Sequence, residues 1–356
     1  MGTQITRPSI NVREKISENY LPSGAHGAQL VRSESPQETF NIVRAGRRNL
    51  IINGDFQISQ RGDYTSSTSL GNGQYYLDRW YRNGNSNGGE TFQHKTNQAV
   101  PTENGTVYVN THLTTSVNAN GWLSHGQVIE PINYRHLKGK WVTASAYVKT
   151  NNPYVGLRIY DAAASPVQHI GMRHSGNGTW ERLSMRHYIP YNSSSLYPLI
   201  DHYDGSIQYT RAGDYIECTM LQVEEGLSPT PFEHRLYPEE LRLCQRYFTY
   251  IPAGTVFAGR GNSGSSYMYS YSTPVPLRAS PVVGKSDDIA HGTFSIRRYR
   301  DSAAVSDSTN TPTTNSTYFQ PETCMISLSQ DGFTAVDDRS ATLFISGGAI
   351  TLSAEL

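Results

Sequence analysis

The stretch KWVTASAYVKT, residues 140–150, alternates strictly, with Trp141, Thr143, Ser145 and Tyr147 on one side and Val142, Ala144, Ala146 and Val148 on the other. A period of two marks an extended strand, because successive side chains leave it on opposite faces. YVGLRIYD (154–161) reads likewise, and in SGNGTWERLSMRHYIP (175–190) a tight turn at Asn177-Gly178 precedes another strand. GDYIECTMLQVEEG (213–226) reads as a closing strand, ended by acidic residues and Gly226. Strands recurring about every dozen residues predict an antiparallel sandwich. The start of that domain falls at Asn49, where NLIINGDFQISQRG has strand–turn–strand grammar around Asn53-Gly54. Composition agrees: with 37% hydrophobic and 17% charged residues, 31 Gly and 24 Tyr, the chain suits short strands and turns rather than long helices.

Beyond Gly226, prolines at 229, 231 and 238 interrupt ladder pairing and hold the chain extended as a strap across the domain edge. EELRLCQRYF follows, placing Leu241, Cys244 and Phe248 at i, i+3 and i+7, which predicts an amphipathic helix with Pro at its start. Alternation then returns in SSYMYSYSTPVPLRASPVV, GTFSIRRYR and the closing DGFTAVDDRSATLFISGGAITLSAEL, with RDSAAVSDSTNTPTTNSTYFQPE as an exposed polar loop. Residues 1–47 show no sustained period, so they are expected to fold only against a partner and to act as an anchoring arm. The reading is therefore an all-β chain: an extended N-terminal arm (1–47), a sandwich (48–236), a linking helix (237–249) and a small C-terminal β domain (250–356).

Lys+Arg and Asp+Glu are equal at 30 each, so no net field exists to hold a nucleic acid or an anionic membrane. No apolar run approaches the ~20 residues of a membrane span, and MGTQITRPSINVREK lacks the apolar centre of a secretory signal. The expectation is a soluble chain made in a reducing cytoplasm. Cys218, Cys244 and Cys324, far apart, then read as buried free thiols. No GxSxG elbow, P-loop, Rossmann fingerprint or HExxH is present, and no enzyme is expected. His169 and His174 differ by an odd number and would face opposite ways on a strand. The carboxylate pairs Asp201/Asp204 and Asp287/Asp288 read as turn residues rather than a glycosidase dyad.

NLIINGDFQISQRG followed by YYLDRWY (75–81) resembles the opening of a domain found in bacteriophage tail fibre and appendage proteins, one similar to family 4/9-type carbohydrate-binding modules. The resemblance continues through HLKGKWVTASAYVKT, GTWERLSMRHYIP and LQVEEGLSPTPFEHRLYPEELRLCQRYF, covering about residues 48–248. STPVPLRASPVV and LSAEL resemble, less specifically, the small distal β domain of such fibres, which tends to sit in a trimer. This resemblance implies a jelly-roll sandwich and a homotrimeric virion protein. Its arm would dock on other virion proteins and its distal parts would bind host-surface polysaccharide. The alternative it leaves open is a structural adaptor or head-decoration protein without a sugar site.

A sugar site needs flat apolar rings with polar edges, which makes Trp80, Trp122, Trp141 and Trp180 the first candidates. Trp80 and Trp180 lie within the resemblance motifs and read as packing, leaving Trp122, in the loop-like NANGWLSHG, as the better platform. Among the many tyrosines, Tyr191 and Tyr197 in IPYNSSSLYPL are the preferred exposed pair, the alternative being half-buried packing between sheets or subunits. The resemblance also implies a structural calcium, for which Asp55 with Glu224 or Glu225 would supply oxygen ligands. Against that, Asp55 serves its turn and the glutamates stay solvated.

Overall fold

In a computed structural model the chain divides into two compact units, residues 1–48 and 49–356. The structure describes residues 47–62, 64–84, 90–100, 106–114, 123–165, 168–202, 212–263, 266–285, 294–298, 306–308, 313–314, 324–330, 341–345 and 349–355. The expected anchoring arm, residues 1–47, lies almost entirely outside them. No helix among the described residues is long and apolar enough to cross a membrane.

The second unit begins with a sandwich of two six-stranded antiparallel sheets. One holds, in order, Thr68–Ser69, Glu90–Ala99, Thr106–Thr114, Tyr215–Glu225, Trp141–Thr150 and Trp180–Tyr188. The other holds Tyr75–Leu77, Trp80–Gly84, Leu123–Gly126, Tyr197–Asp201, Gly156–Tyr160 and Gln168–Arg173. Sheet neighbours are often far apart in sequence, the crossing pattern of a jelly roll. Val142, Ala144, Ala146 and Val148 point inward to meet Leu157, Ile159 and Ile200 from the opposite sheet. Burying each larger aliphatic side chain here contributes about 1.5–3 kcal/mol before entropic costs. The faces of the 140–150 strand are thus the ones its alternation predicts.

NLIINGDF corrects the expectation of strand–turn–strand: residues 49–58 form a buried loop and turn with no flanking strand. Ile51, Phe56 and Ile58 are fully or almost fully buried, and polar side chains satisfy the backbone that a sheet ladder would otherwise serve. The Gln127 amide brackets Ile52, accepting from its N–H and donating to its carbonyl. Asn53, at φ 58°, accepts from the Ile58 N–H and donates to the Ile58 and Asp78 carbonyls, while its own carbonyl accepts from the Trp80 indole at 2.8 Å. Gly54 is required by close approach, since a Cβ there would stand 2.2 Å from the Leu221 carbonyl oxygen.

The strap lies on the outer face of the first sheet. The Thr230 N–H and hydroxyl donate to Glu224 at 2.7 and 2.8 Å, the Glu233 N–H donates to Gln222 at 2.8 Å, and Arg182 donates to the Thr230 carbonyl. A helix, Tyr237–Gln245, follows with Pro in its first turn, and it ends before Phe248, which opens the strand Phe248–Ile251 instead. Its buried face is Glu240 and Cys244. Cys244 packs with Tyr247, Ile52 and Ile58, while Glu240 accepts from the Asn53 N–H at 2.5 Å. The helix is therefore docked on the opening loop.

Beyond it stand a three-stranded sheet and a seven-stranded sheet with their own core, including Ile251, Phe257, Leu328 and Leu352. Glu355 returns to the sandwich and pairs with Arg79 and Arg61, and Glu130 of the sandwich receives Arg246 at 3.3 Å and Arg278 at 3.7 Å. Cys218 and Cys244 are buried, Cys324 is half-buried, and none is in a disulfide.

Candidate functional site

Cross-strand register places Tyr188 directly opposite Trp141 at the outer edge of the first sheet. Their rings meet edge to face with centroids 5.5 Å apart, yet Trp141 stays 46% exposed and Tyr188 38%. The pairing continues past the strand ends, the Gly139 N–H donating to the Ile189 carbonyl at 2.8 Å and the Ile189 N–H to the Lys140 carbonyl at 3.0 Å. This return sets the Tyr191 ring on Gly139, where a Cβ would come within 2.4 Å of it, and leaves Tyr191 77% exposed. Gly139 sits at φ +81°, so a larger residue is disfavoured twice over.

Exposed Leu227 follows Gly226, whose N–H donates to the Trp141 carbonyl. Arg186 shares the outer face with Trp141 and Tyr188 and is exposed, while Lys140 and Glu225 form an ion pair at 2.9 Å near the patch. The surface thus combines accessible aromatic rings with charged and hydroxyl donors, the requirements for stacking on a sugar face while bonding its hydroxyls.

Tyr197 does not join Tyr191. It lies on the outer face of the second sheet, its ring 5.6 Å from that of Tyr160 and edge-on to it. Tyr75 and Tyr81 pair at 5.5 Å on the same sheet. All four are half-buried, and burial, then the neighbouring Tyr75 and Tyr197, pushes the Tyr81 hydroxyl well above its ordinary range. Arg158 and Asp201 form a buried ion pair at 2.5 Å on this sheet, so Asp201 is a partner of Arg158 rather than a turn residue. These tyrosines follow the packing alternative.

The calcium expectation for Asp55, Glu224 and Glu225 is corrected. Glu224 and Glu225 are consecutive on a strand and face opposite ways. Buried Glu224 accepts from Thr230 and Gln222, and Glu225 pairs with Lys140. Neither Glu224 nor Asp55 is solvated: the Asp55 carboxylate is buried, accepts from Gln57 and stands 3.9 Å from His234. Burial raises its pKa above the ordinary carboxylate value. No cluster of three His, Cys, Asp or Glu side chains suited to a metal occurs among the described residues.

Trp80 is fully buried in the sandwich core, and Trp180 is half-buried at a strand start. Trp122, Asp204, Asp287 and Asp288 lie outside the described residues. His174 is buried, its Nε2 2.8 Å from the Thr179 carbonyl. The importance of Tyr188 and Gly139 was not visible in sequence order, because it arises from the register that sets residues 139–141 against 188–191. The only signal was Trp141 at the polar-face end of an alternating strand.

No protein-family model and no curated protein matches the chain. Among solved structures, the enzymatically active domain of bacteriophage CBA120 tailspike protein 4 aligns at 11% identity and a TM-score of 0.29, covering 50% of this chain and 21% of that one. The CBM22-1 xylan-binding domain of Paenibacillus barcinonensis Xyn10C aligns at 12% identity and 0.27, covering 46% and 97%. The CBM22-1–CBM22-2 tandem domain of the same protein aligns at 11% and 0.27, covering 83% and 98%. At such scores the fold rests on the strand topology described above.

Proposed function

We propose that this chain is a non-enzymatic bacteriophage virion protein, a tail fibre or similar appendage, that binds host-surface glycan during adsorption. The observation that carries this reading is the accessible platform of Trp141 and Tyr188, set by strand register, with Tyr191 in the following turn seated on Gly139. The motif resemblance over residues 48–248 supports the virion setting. On this reading the protein is made in the cytoplasm of the bacterial host, residues 1–47 dock on other virion proteins, and three copies assemble. Each site is weak, with affinity in the millimolar range, and simultaneous engagement raises attachment by roughly 10²–10⁴.

The test is binding of the purified full-length chain to a bacterial glycan array and to intact cells, with soluble surface polysaccharide as competitor. Saturable binding that competitor removes, and that Trp141→Ala and Tyr188→Ala abolish without changing the melting temperature, is the expected result. A folded protein that binds neither array nor cells overturns the glycan reading and leaves the structural adaptor or head-decoration role.

A further inference from the structure

A groove of about 600 Å³ opens where the helix meets the distal sheets, within the range of small-ligand sites. Tyr237, Leu241 and Gln245, four residues apart along the helix, form one wall, and Gln60, Tyr250 and Pro252 face it. Tyr237 is 55% exposed and Tyr250 37%, so both rings stand at the rim. No Lys, Arg, His, Asp or Glu side chain lines the groove among the described residues. The occupant it suits is uncharged.

The polar groups are positioned. Gln60 uses its amide nitrogen within the fold, donating to Asp78 Oδ1 at 2.6 Å and to the Phe248 carbonyl at 2.9 Å, which leaves Oε1 to accept from a ligand. Gln245 brings a second amide at the helix end. Leu241 and Pro252 supply apolar surface between them. A pyranose has this same alternation, with apolar C–H faces that stack on tyrosine and a rim of hydroxyls that amides recognise.

An extended peptide fits less well. Phe248–Ile251 is an edge strand of its three-stranded sheet, but the Phe248 carbonyl already accepts from Gln60, which obstructs strand addition there.

We infer that this groove binds a neutral oligosaccharide, with Tyr237 and Tyr250 against sugar faces and Gln60 and Gln245 on hydroxyls. It shares no residue with the Trp141 platform and stands or falls separately from it.

The test uses the full-length protein in saturation-transfer NMR and calorimetric titration. The probes are maltotriose, cellotriose and chitotriose, with sialyllactose as charged control and a proline-rich decapeptide as competitor. In a Trp141→Ala background, which silences the platform, at least one neutral trisaccharide is expected to bind, with Tyr250→Ala and Gln245→Ala each weakening it about tenfold. Circular dichroism melts establish that the variants are folded. Gln245→Ala removes an amide from the end of the helix, so it keeps the test decisive if Tyr250→Ala unfolds. The inference is overturned if no neutral probe binds, if binding survives both substitutions, or if only sialyllactose or the peptide occupies the groove.

Discussion

The guanidinium of Arg79 is ion-paired with the carboxylate of Glu355, 276 residues further along the chain, with side chains only 1% and 5% exposed. Arg79 also stacks on Tyr247 at 3.6 Å and donates to the Val128 carbonyl. Glu355→Ala leaves this buried cation without its carboxylate, and a loss of about 3–5 kcal/mol is expected from urea unfolding of the full-length protein. A change below about 1 kcal/mol would show that the contact does not hold the distal part to the sandwich.

Asp78 provides a pH signature. Burial raises its pKa to about 6, against the ordinary 3.8, although Arg61 and hydrogen bonds from Gln60 oppose the shift. Between these values the folded chain holds a proton that the unfolded chain has released, so stability falls as pH rises and the loss is complete above about pH 6. The difference is on the order of 3 kcal/mol. Asp55 and Glu240, also raised by burial, act in the same direction. Asp78→Asn should flatten the melting-temperature profile between about pH 4 and 6, and an unchanged slope would assign the effect elsewhere.

Glu224 fastens the strap through Thr230. Glu224→Ala removes the acceptor of the Thr230 N–H and hydroxyl together, at a cost of about 1–3 kcal/mol for each group left buried and unpaired. Limited proteolysis should then cut between residues 226 and 236 faster than in the wild type. Because Glu224 is already occupied, adding calcium or a chelator should leave the melting temperature within about 1 °C. A calcium-dependent rise would restore the metal reading.

Gly54→Ala should destabilise by about 1–3 kcal/mol or more, because its new methyl would meet a backbone oxygen that cannot rotate away. Chemical denaturation reads this directly, and a neutral result would mean that the loop and the Leu221 strand separate easily.

Local pattern made much of the sandwich legible. The alternation of KWVTASAYVKT is a strand with those faces, Asn177-Gly178 is a turn, and the proline-rich strap forms no strand. What the sequence could not display were partnerships made by distant segments. NLIINGDF resembles a strand because Ile51 and Ile52 are apolar, but Gln127 and Glu240, far along the chain, provide its hydrogen bonds. Tyr191 and Tyr197 are six residues apart, yet the chain passes from one sheet to the other between them. A spacing argument alone cannot separate them.

The strap bonds to Gln222, Glu224 and Arg182 on the first sheet's outer face, while the Trp141 and Tyr188 rings lie at its margin. A ligand seated on those rings would rest at the margin of the sheet, beside the strap. On the proposed glycan reading, such a marginal seat suits a short branch or a terminal sugar, and attachment would follow how densely such ends are displayed.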